Sequence, residues 1–255
     1  MKRPEGLRVN PIALVFAGIL ILCENPAAQT VDQIISRNVA ARGGLAKIRA
    51  IHSMTITGHL IGTDTDFPIV VRLKRPGSFR MDLTINGRNF TQAYNGSAAW
   101  MIDPFASNQE PKSVSGDELK SIQDQADFDG PLIDYHAKGH KVESMGKESV
   151  ADKLCFKLKI NLSTGTLMYQ YLDASSYLEV REELTRTVDG KESTIEESVG
   201  DYRRAGGFLF PFLYDSNAKG STEHHRFTIE KMQINADISD SVFNMPAGKP
   251  AAERK

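Results

Sequence analysis

The sequence predicts a mainly β protein with antiparallel strands and a few helices. Two Asn-Gly pairs, Asn86-Gly87 and Asn95-Gly96, separate short runs in which apolar and polar residues alternate. Asn-Gly favours a tight hairpin because both residues tolerate a positive φ. Such runs recur from Ser53 to Ile234, about eleven in all, at the spacing typical of a β-sandwich or barrel.

The first 28 residues have the pattern of a secretory signal peptide. Three basic residues come before an apolar run at 12–22, and Pro26-Ala27-Ala28 follows it. The run is too short for a transmembrane helix, which needs about 20 apolar residues. We therefore expect export and cleavage after Ala28.

Cleavage there leaves one domain, which we place at 29–248, and a polar tail at 249–255 that we expect to be disordered. A second interpretation of the leader is lipid attachment at Cys23. Cys155 is the only other cysteine, so no intramolecular disulfide is expected. Its position in an apolar strand pattern predicts a buried, unreactive thiol.

The composition argues against highly charged partners. The chain has 31 basic and 32 acidic residues and a net charge of −1 at pH 7. This balance provides no basic surface for nucleic acid or for an anionic membrane. We expect no nucleic acid partner and a monomeric protein.

The first element after the signal is predicted to be an amphipathic helix. Apolar residues recur at helical spacing over 31–41, stop at Gly43-Gly44, and resume at Leu45, Ile48 and Ile51. This pattern predicts one helix with a glycine break or two short helices. A helix with a single apolar stripe needs a sheet to pack against.

The three runs around the Asn-Gly pairs, at 79–85, 90–94 and 98–102, predict a meander with one bulky apolar face. The orientation of Trp100 depends on the second turn. A two-residue turn places Trp100 on the face opposite Phe90, and a three-residue turn places both on the same face.

The alternation stops at 103–139, where an insertion is predicted to contain a helix. Ser115 and Glu118 have the spacing of a capping box, and Leu119, Ile122 and Ala126 follow at helical spacing. Residues 132–136 are predicted to form one more turn. An insertion of this length indicates a cover for one face of the sheet.

Strand patterns resume after the insertion, with a third hairpin predicted at Asp189-Gly190. The segment 206–214 is unusual because both of its faces are apolar. Phe208, Phe210 and Phe212 share one face, and Pro211, which cannot donate to a ladder, predicts an edge or a bulge. This segment is either core or the lining of a ligand site.

The chain carries no strong catalytic signature. The nucleophile-elbow pattern and a phosphate-binding glycine loop are both absent from the sequence. His136 and His140 lack the adjacent glutamate of a hydrolytic zinc site. Glu182-Glu183 and Glu196-Glu197 each divide across a strand and are interpreted as a solvated outer face. We expect no enzyme activity, no metal site and no cofactor.

Five groups of residues occur in a distinctive order along the chain. They are Ala41-Arg42-Gly43-Gly44-Leu45-Ala46-Lys47-Ile48, then Phe79-Arg80-Met81-Asp82, then Tyr94-Asn95-Gly96 with Trp100 and Pro104, then Asp201-Tyr202-Arg203 with Gly207 and Phe210-Pro211, and finally Phe243 with Pro246. In this order the chain resembles the LolA-like family of periplasmic outer-membrane lipoprotein-sorting proteins. The resemblance covers most of the chain after the signal.

The resemblance implies an unclosed, strongly curved antiparallel half-barrel with an apolar concave face and a helical lid. It also implies a periplasmic carrier whose partners are a lipid or an acylated lipoprotein, with inner- and outer-membrane receptors. The residues we expect to line the acyl chain are Met54, Ile56, Phe79, Met81, Leu83, Phe90, Tyr94, Phe156, Leu158, Phe208, Phe210 and Phe212. The lid residues are Leu119, Ile122, Leu132 and Ile133.

Two other functions remain open at this point. In the first, the same fold is a sensor or interaction module of the cell envelope whose concave face is filled by its own side chains. In the second, the protein is a periplasmic hydrolase or metal-binding protein that uses His136, His140 or the strand carboxylates.

Overall fold

The computed structural model describes residues 29–188 and 191–247. Thirteen antiparallel strands form one open sheet in the order β6-β5-β4-β3-β2-β1-β13-β12-β11-β10-β9-β8-β7. The strands are β1 (Ser53–Ile61), β2 (Asp66–Lys74), β3 (Ser78–Ile85), β4 (Arg88–Tyr94), β5 (Ala99–Ile102), β6 (Lys112–Val114), β7 (Lys141–Val150), β8 (Lys153–Asn161), β9 (Leu167–Asp173), β10 (Glu179–Val188), β11 (Lys191–Ala205), β12 (Phe208–Ala218) and β13 (His225–Ile234). The prediction of a mainly β, unclosed antiparallel sheet is confirmed, and the sheet is consistent with a half-barrel.

The sheet has two more strands than the eleven predicted. The additional strands, β6 and β7, are the two edges of the sheet. β6 has only 3 residues, and nearly all of β7 is exposed. Short or charged edge strands resist pairing with other chains, and for the same reason they lack the apolar alternation that identifies a strand.

The lengths of the two turns determine the face of the sheet on which Trp100 lies. Ile85 pairs with Arg88, and both Asn86 and Gly87 have positive φ, so the first hairpin is confirmed. Tyr94 pairs with Ala99, so the second loop has four residues and the predicted two- and three-residue turns were both wrong. A four-residue loop differs from a two-residue loop by an even number of residues, so each side chain of the next strand keeps the same face. Trp100 therefore lies on the face opposite Phe90. The predicted turn at 189–190 lies outside the described residues.

Three helices lie on one face of the sheet, which we call the inner face. α1 (Val31–Arg42) begins with a complete capping box between Thr30 and Gln33, and α2 (Leu45–Arg49) follows the predicted glycine break. A Cβ at Gly43 would lie 2.8 Å from the carbonyl oxygen of Gly207, so the break also permits close packing on the sheet.

The third helix, α3 (Gly116–Gln125), confirms the helix that was predicted inside the insertion. Its predicted capping box was wrong. Ser115 makes no side-chain cap hydrogen bond, and Glu118 Oε1 instead accepts a hydrogen bond from Gln92 Nε2 at 3.2 Å. The carboxylate therefore joins the helix to β4. None of the described helices is long and apolar enough to span a membrane.

The C-terminal segment covers part of the opposite, outer face. A short 3₁₀ helix, Asp240–Phe243, packs there beside β3, and the indole nitrogen of Trp100 donates a hydrogen bond to the Phe243 carbonyl at 2.8 Å. Arg80 adds a hydrogen bond to the carbonyl of Val242 at 2.9 Å. The Trp100 side chain is 2% exposed as a result.

The β12 strand is interior in the sheet order but incompletely paired. Among the described residues, its ladder with β13 covers only 213–216, whereas its ladder with β11 begins at Phe208. Pro211 pairs with Tyr202 of β11 but has no partner on the β13 side, and such a locally open position is where a strand tolerates proline. The predicted edge therefore exists locally, within a strand that is otherwise internal.

Candidate ligand-binding site

The inner face of the sheet is covered by three buried apolar clusters. The middle cluster joins Met54, Ile56, Phe208, Phe210, Phe212 and Ile229 of the sheet to Ile48, Ile51, Phe128 and Ile133. A cluster on the β7 side joins Phe156, Leu158, Ile160, Leu162, Met168 and Leu172 to Ile34, Ile35 and Leu132. A cluster on the β6 side joins Phe79, Ala99, Met101 and Val114 to Ile122 and Ala126.

The twelve residues predicted to line an acyl chain all face inward according to the strand register. They do not form one continuous surface. Five belong to the middle cluster (Met54, Ile56, Phe208, Phe210, Phe212), two to the β7-side cluster (Phe156, Leu158), and four contribute to or pack against the β6-side cluster (Phe79, Met81, Phe90, Tyr94), while Leu83 pairs with Phe90. Contact between these residues and an acyl chain stays a prediction.

The four predicted lid residues divide among the same clusters. Leu119 and Ile122 of α3 pack into the β6-side cluster, Leu132 into the β7-side cluster and Ile133 into the middle cluster. The segment 116–136 therefore crosses the inner face from one side of the sheet to the other. We call this segment the lid.

A cavity of about 950 Å³ lies between the lid and the β10 region of the sheet, and we call it the central cavity. Its walls include Tyr94 of β4, Met168 of β9, Leu184 of β10 and Tyr214 of β12. This volume is at the upper end of the range for small-molecule sites, which is about 300–1,000 Å³. Of the twelve predicted lining residues, Tyr94 alone borders it.

The lid is joined to the sheet by polar contacts at several points. Arg75, at the β2–β3 turn, forms a bidentate ion pair with Asp129 at 2.5 and 2.7 Å and donates to the Ile51 carbonyl at 2.7 Å. Its guanidinium also lies 4.5 Å from the centre of the Phe128 ring. Arg75 also donates to the carbonyl of Ile48 in α2 at 3.1 Å. It thus fastens the lid to α2 and to the sheet with one side chain.

The other end of the lid is fastened to the β9–β10 side. The two carboxylate oxygens of Asp124 accept hydrogen bonds from the hydroxyls of Thr164 and Thr166, each at 2.6 Å. Arg186 of β10 donates a hydrogen bond to the hydroxyl of Ser121 on α3. These contacts are polar and exchangeable with water, so the lid can be released at lower cost than a fully apolar seam.

A carboxylate cluster lies on the inner face next to the central cavity, and this corrects the interpretation of the strand glutamates. Each adjacent pair does divide across its strand, but Glu182 and Glu197 face inward, directly opposite each other on β10 and β11. An irregularity between Glu179 and Arg181 brings Glu179 to the same face. The members of this cluster are Glu179, Glu182 and Glu197.

Burial raises the pKa of all three carboxyls in the cluster. It raises the pKa of Glu179 to about 7, against the opposing charge of Arg42, and that of Glu197 to about 8. The pKa of Glu182 is well above its ordinary value because burial is reinforced by the charge of Glu179. Such displacements are typical of functional sites, although structural networks also produce them.

A second depression, of about 580 Å³, lies between α1, α2 and residues 132–137, which include the C-terminal end of the lid. Ile35 and Val39 of α1 form one wall, and Leu132 and Tyr135 form the other. This groove does not reach the carboxylate cluster or the central cavity walls described above.

The structure does not assemble the histidines proposed for hydrolysis or metal binding. His136 is exposed, whereas Nδ1 of His140 accepts a hydrogen bond from the Ser163 amide at 3.1 Å. Burial lowers the pKa of His140. Within the part of the chain that the structure describes, no group of three or more His, Cys, Asp or Glu side chains is arranged to hold a metal ion.

Cys155 is fully buried, and burial raises the pKa of its thiol, in agreement with the predicted unreactive cysteine. Cys23 lies outside the described residues, as do the signal peptide and the whole of the predicted tail.

Sequence reasoning missed two parts of this site. Nothing in the sequence connects Arg75 to Asp129, which lies 54 positions away. For the glutamates a signal did exist, because Glu182 alternates in phase with the apolar Leu184 and therefore belongs to the inward face. The inward position of Glu179 depends on the strand irregularity between Glu179 and Arg181, which no residue pattern in the sequence predicts.

No family model matches the chain, and no curated protein matches it. Solved structures, however, share its fold. A LolA superfamily protein from Nitrosomonas europaea is 15% identical, aligns over 85% of this chain and 98% of its own, and gives a TM-score of 0.57.

Two further solved structures give similar values. A DUF1329 family protein from Desulfovibrio piger is 12% identical over 84% of this chain and 97% of its own, with a TM-score of 0.58. A putative outer membrane lipoprotein-sorting protein domain from Vibrio parahaemolyticus is 9% identical over 84% and 97%, with a TM-score of 0.56. At these identities the likeness shows the fold alone, and the fold is the one that the resemblance implied.

Proposed function

We propose that this protein is an exported, periplasmic carrier-type protein that holds the acyl chains of a lipid or of an acylated lipoprotein against the inner face of its sheet. It acts without enzyme activity and delivers its ligand to a membrane receptor. The observation that carries the proposal is the central cavity of about 950 Å³ between the lid and the sheet.

The energetics of acyl burial support this proposal. Burying one methylene contributes about 0.8 kcal/mol, so about 15 methylenes contribute on the order of 12 kcal/mol as an upper bound. Chain burial of that extent gives strong affinity with few specific contacts. The absence of a catalytic motif from the sequence is therefore compatible with a binding site.

The lid supplies a route for entry and release. It packs on all three clusters, so its displacement exposes the apolar inner face over most of its width. Its polar joints at Arg75, Asp124 and Arg186 are replaceable by water when the lid moves. A receptor that binds the open form would then shift the equilibrium toward release.

The test begins with protein purified from the periplasm of its producing cells. Native mass spectrometry and lipid extraction are expected to show a bound amphiphile, and a fluorescent fatty acid is expected to bind after delipidation. The absence of both signals would contradict the proposal.

A pair of variants tests the place of binding. Leu184→Asp puts a charge into the wall of the central cavity and is expected to abolish fatty acid binding. Leu154→Asp is the matched control, because Leu154 is 53% exposed on β8, and it is expected to bind as the parent does. Equal binding by both variants would place the ligand elsewhere.

A second function, that of a sensor or interaction module, is favoured by one observation. Most of the predicted lining residues already pack against helices or lid within the three clusters. If no amphiphile is bound to the purified protein and the fatty acid does not bind after delipidation, this alternative replaces the carrier function.

A further inference from the structure

Buried polar atoms without partners lie around the carboxylate cluster. Three such side-chain atoms occur in the described residues: Gln170 Oε1, Glu179 Oε1 and Arg186 Nε. Gln170 is only 5% exposed. Arg186 lines the central cavity, whereas Gln170 and Glu179 line a separate space of about 20 Å³. A buried polar atom without a partner costs about 1–3 kcal/mol, so the Arg186 donor at the cavity wall indicates a polar ligand.

The acceptors form one row across three strands. Gln170 of β9 is paired with Glu182 of β10, which is paired with Glu197 of β11. Glu179, which pairs with Leu172 of β9, lies on the same face. Directly opposed side chains on one sheet face have Cβ atoms about 5 Å apart. Of this row, Glu182 borders the central cavity, and its carboxylate suits a group with several N–H donors and a positive charge.

The unpartnered donor lies further along the same strand. Arg186 is four residues beyond Glu182 on β10, which corresponds to about 13 Å between Cα atoms, and both side chains border the central cavity. Leu184 lies between them on the same wall. Both side chains are long and border the same cavity, so one ligand with a positive and a negative end can span them. The free Nε suits an anionic oxygen.

We propose that the central cavity recognises a zwitterionic phospholipid through its phosphoethanolamine headgroup, with the primary ammonium at Glu182 and the phosphate at Arg186. This inference rests on the proposed function, because the acyl chains of that lipid occupy the apolar inner face. The ammonium donates to the Glu182 carboxylate, and the phosphate accepts from the unpartnered Nε of Arg186.

The same chemistry discriminates against other headgroups. A phosphoglycerol headgroup brings a negative charge and no cation to the carboxylate cluster, so nothing in it favours the ionised form of Glu182. A phosphocholine headgroup carries a cation but no N–H donors, so it makes no hydrogen bond to Glu182. Phosphoethanolamine is the headgroup whose primary ammonium gives Glu182 both a positive charge and N–H donors.

The test uses the full chain, delipidated, and three soluble probes with identical chains: dihexanoyl phosphatidylethanolamine, dihexanoyl phosphatidylglycerol and dihexanoyl phosphatidylcholine. Isothermal titration calorimetry is expected to give at least about tenfold tighter binding of the ethanolamine lipid than of either other probe, as expected for one charge-assisted hydrogen-bonded contact.

Variants then locate the recognition. Glu182→Gln is expected to weaken the ethanolamine lipid by about tenfold and to leave the phosphatidylglycerol affinity unchanged. Arg186→Gln is expected to weaken all three probes, because each carries a phosphate. Glu183→Gln is the matched control, since Glu183 is the next residue on β10 and faces the outer surface beside Arg181.

The outcomes separate this inference from the proposed function. Equal affinities for the three probes, with the fluorescent fatty acid still bound, overturn the headgroup inference alone. Failure of every probe and of the fatty acid overturns both. An equal effect of Glu183→Gln and Glu182→Gln also overturns the inference. If circular dichroism shows that Glu182→Gln does not fold, the comparison of the three probes and the Arg186→Gln variant decide the inference.

Discussion

Replacing Glu197 with glutamine is expected to stabilise the fold at pH 7 while changing it little at pH 5. Burial, reinforced by the charge of Glu182, raises the pKa of Glu197 to about 8 from an ordinary value of 4.5. Between these two values the folded protein binds more protons than the unfolded chain, so its stability falls as the pH rises. Glutamine resembles the protonated carboxyl and does not titrate, and it removes this loss.

The magnitude follows from the same displacement. Each pH unit inside the window from 4.5 to about 8 costs about 1.4 kcal/mol. Between pH 5 and pH 7 the wild type is therefore expected to lose up to about 3 kcal/mol through this group, and Glu197→Gln to retain it. Because the side chain is not completely buried, water reduces the effect, and a difference of about 2 kcal/mol is the working expectation.

The assay is urea unfolding followed by circular dichroism at pH 5, 6, 7 and 8, and the measured quantity is the free energy of unfolding. Glu196→Gln is the control, because Glu196 is the adjacent residue and pairs on the outer face with Arg181 at 2.9 Å. A stabilisation by Glu197→Gln that is the same at pH 5 and pH 8 would refute the reasoning, as would an equal pH-dependent gain in Glu196→Gln.

Three further predictions follow from single contacts. Arg75→Met breaks the ion pair that fastens the lid, and it is expected to lower the free energy of unfolding by about 3 kcal/mol and to speed hydrogen exchange of lid amides. Arg49→Met, at an exposed ion pair, is the control and should change neither quantity. Unchanged exchange in Arg75→Met would contradict the role of Arg75. Trp100→Phe loses the hydrogen bond to the Phe243 carbonyl and is expected to cost about 1–2 kcal/mol and to expose the C-terminal segment to proteolysis; equal digestion of both proteins would argue against it. The Cys155 thiol is expected to react with a chromogenic disulfide reagent only after unfolding, and rapid reaction of the native protein would show that the burial is wrong.

The strand pattern was predictable wherever a strand has one apolar face. The run containing Phe79 and Met81 alternates because its inner face is covered and its outer face is wet, and the Asn86-Gly87 turn fixed its end. β7 escaped prediction because an exposed edge needs no apolar face. The capping box at Ser115 failed because Glu118 found a partner on β4.

The candidate site was predictable only in part. Inward apolar residues such as Ile56 follow from alternation, but their division into three packed clusters depends on how the lid crosses the sheet. In the carboxylate cluster, the inward position of Glu182 was predictable because it alternates with the apolar residues of its strand. The inward position of Glu179 was not, because it depends on a strand irregularity. Long-range contacts such as Arg75 with Asp129 depend on tertiary packing, for which a single sequence carries no periodic signal.

The short ladder between β12 and β13 has a mechanical consequence. Because only residues 213–216 of β12 pair with β13 in the described chain, the sheet consists of two panels, β6 to β13 and β12 to β7, that share a narrow backbone seam. Bending at this seam disturbs few hydrogen bonds and leaves both panels intact. The central cavity has walls on both panels, with Tyr94 on one and Leu184 on the other, so the angle at the seam sets its width.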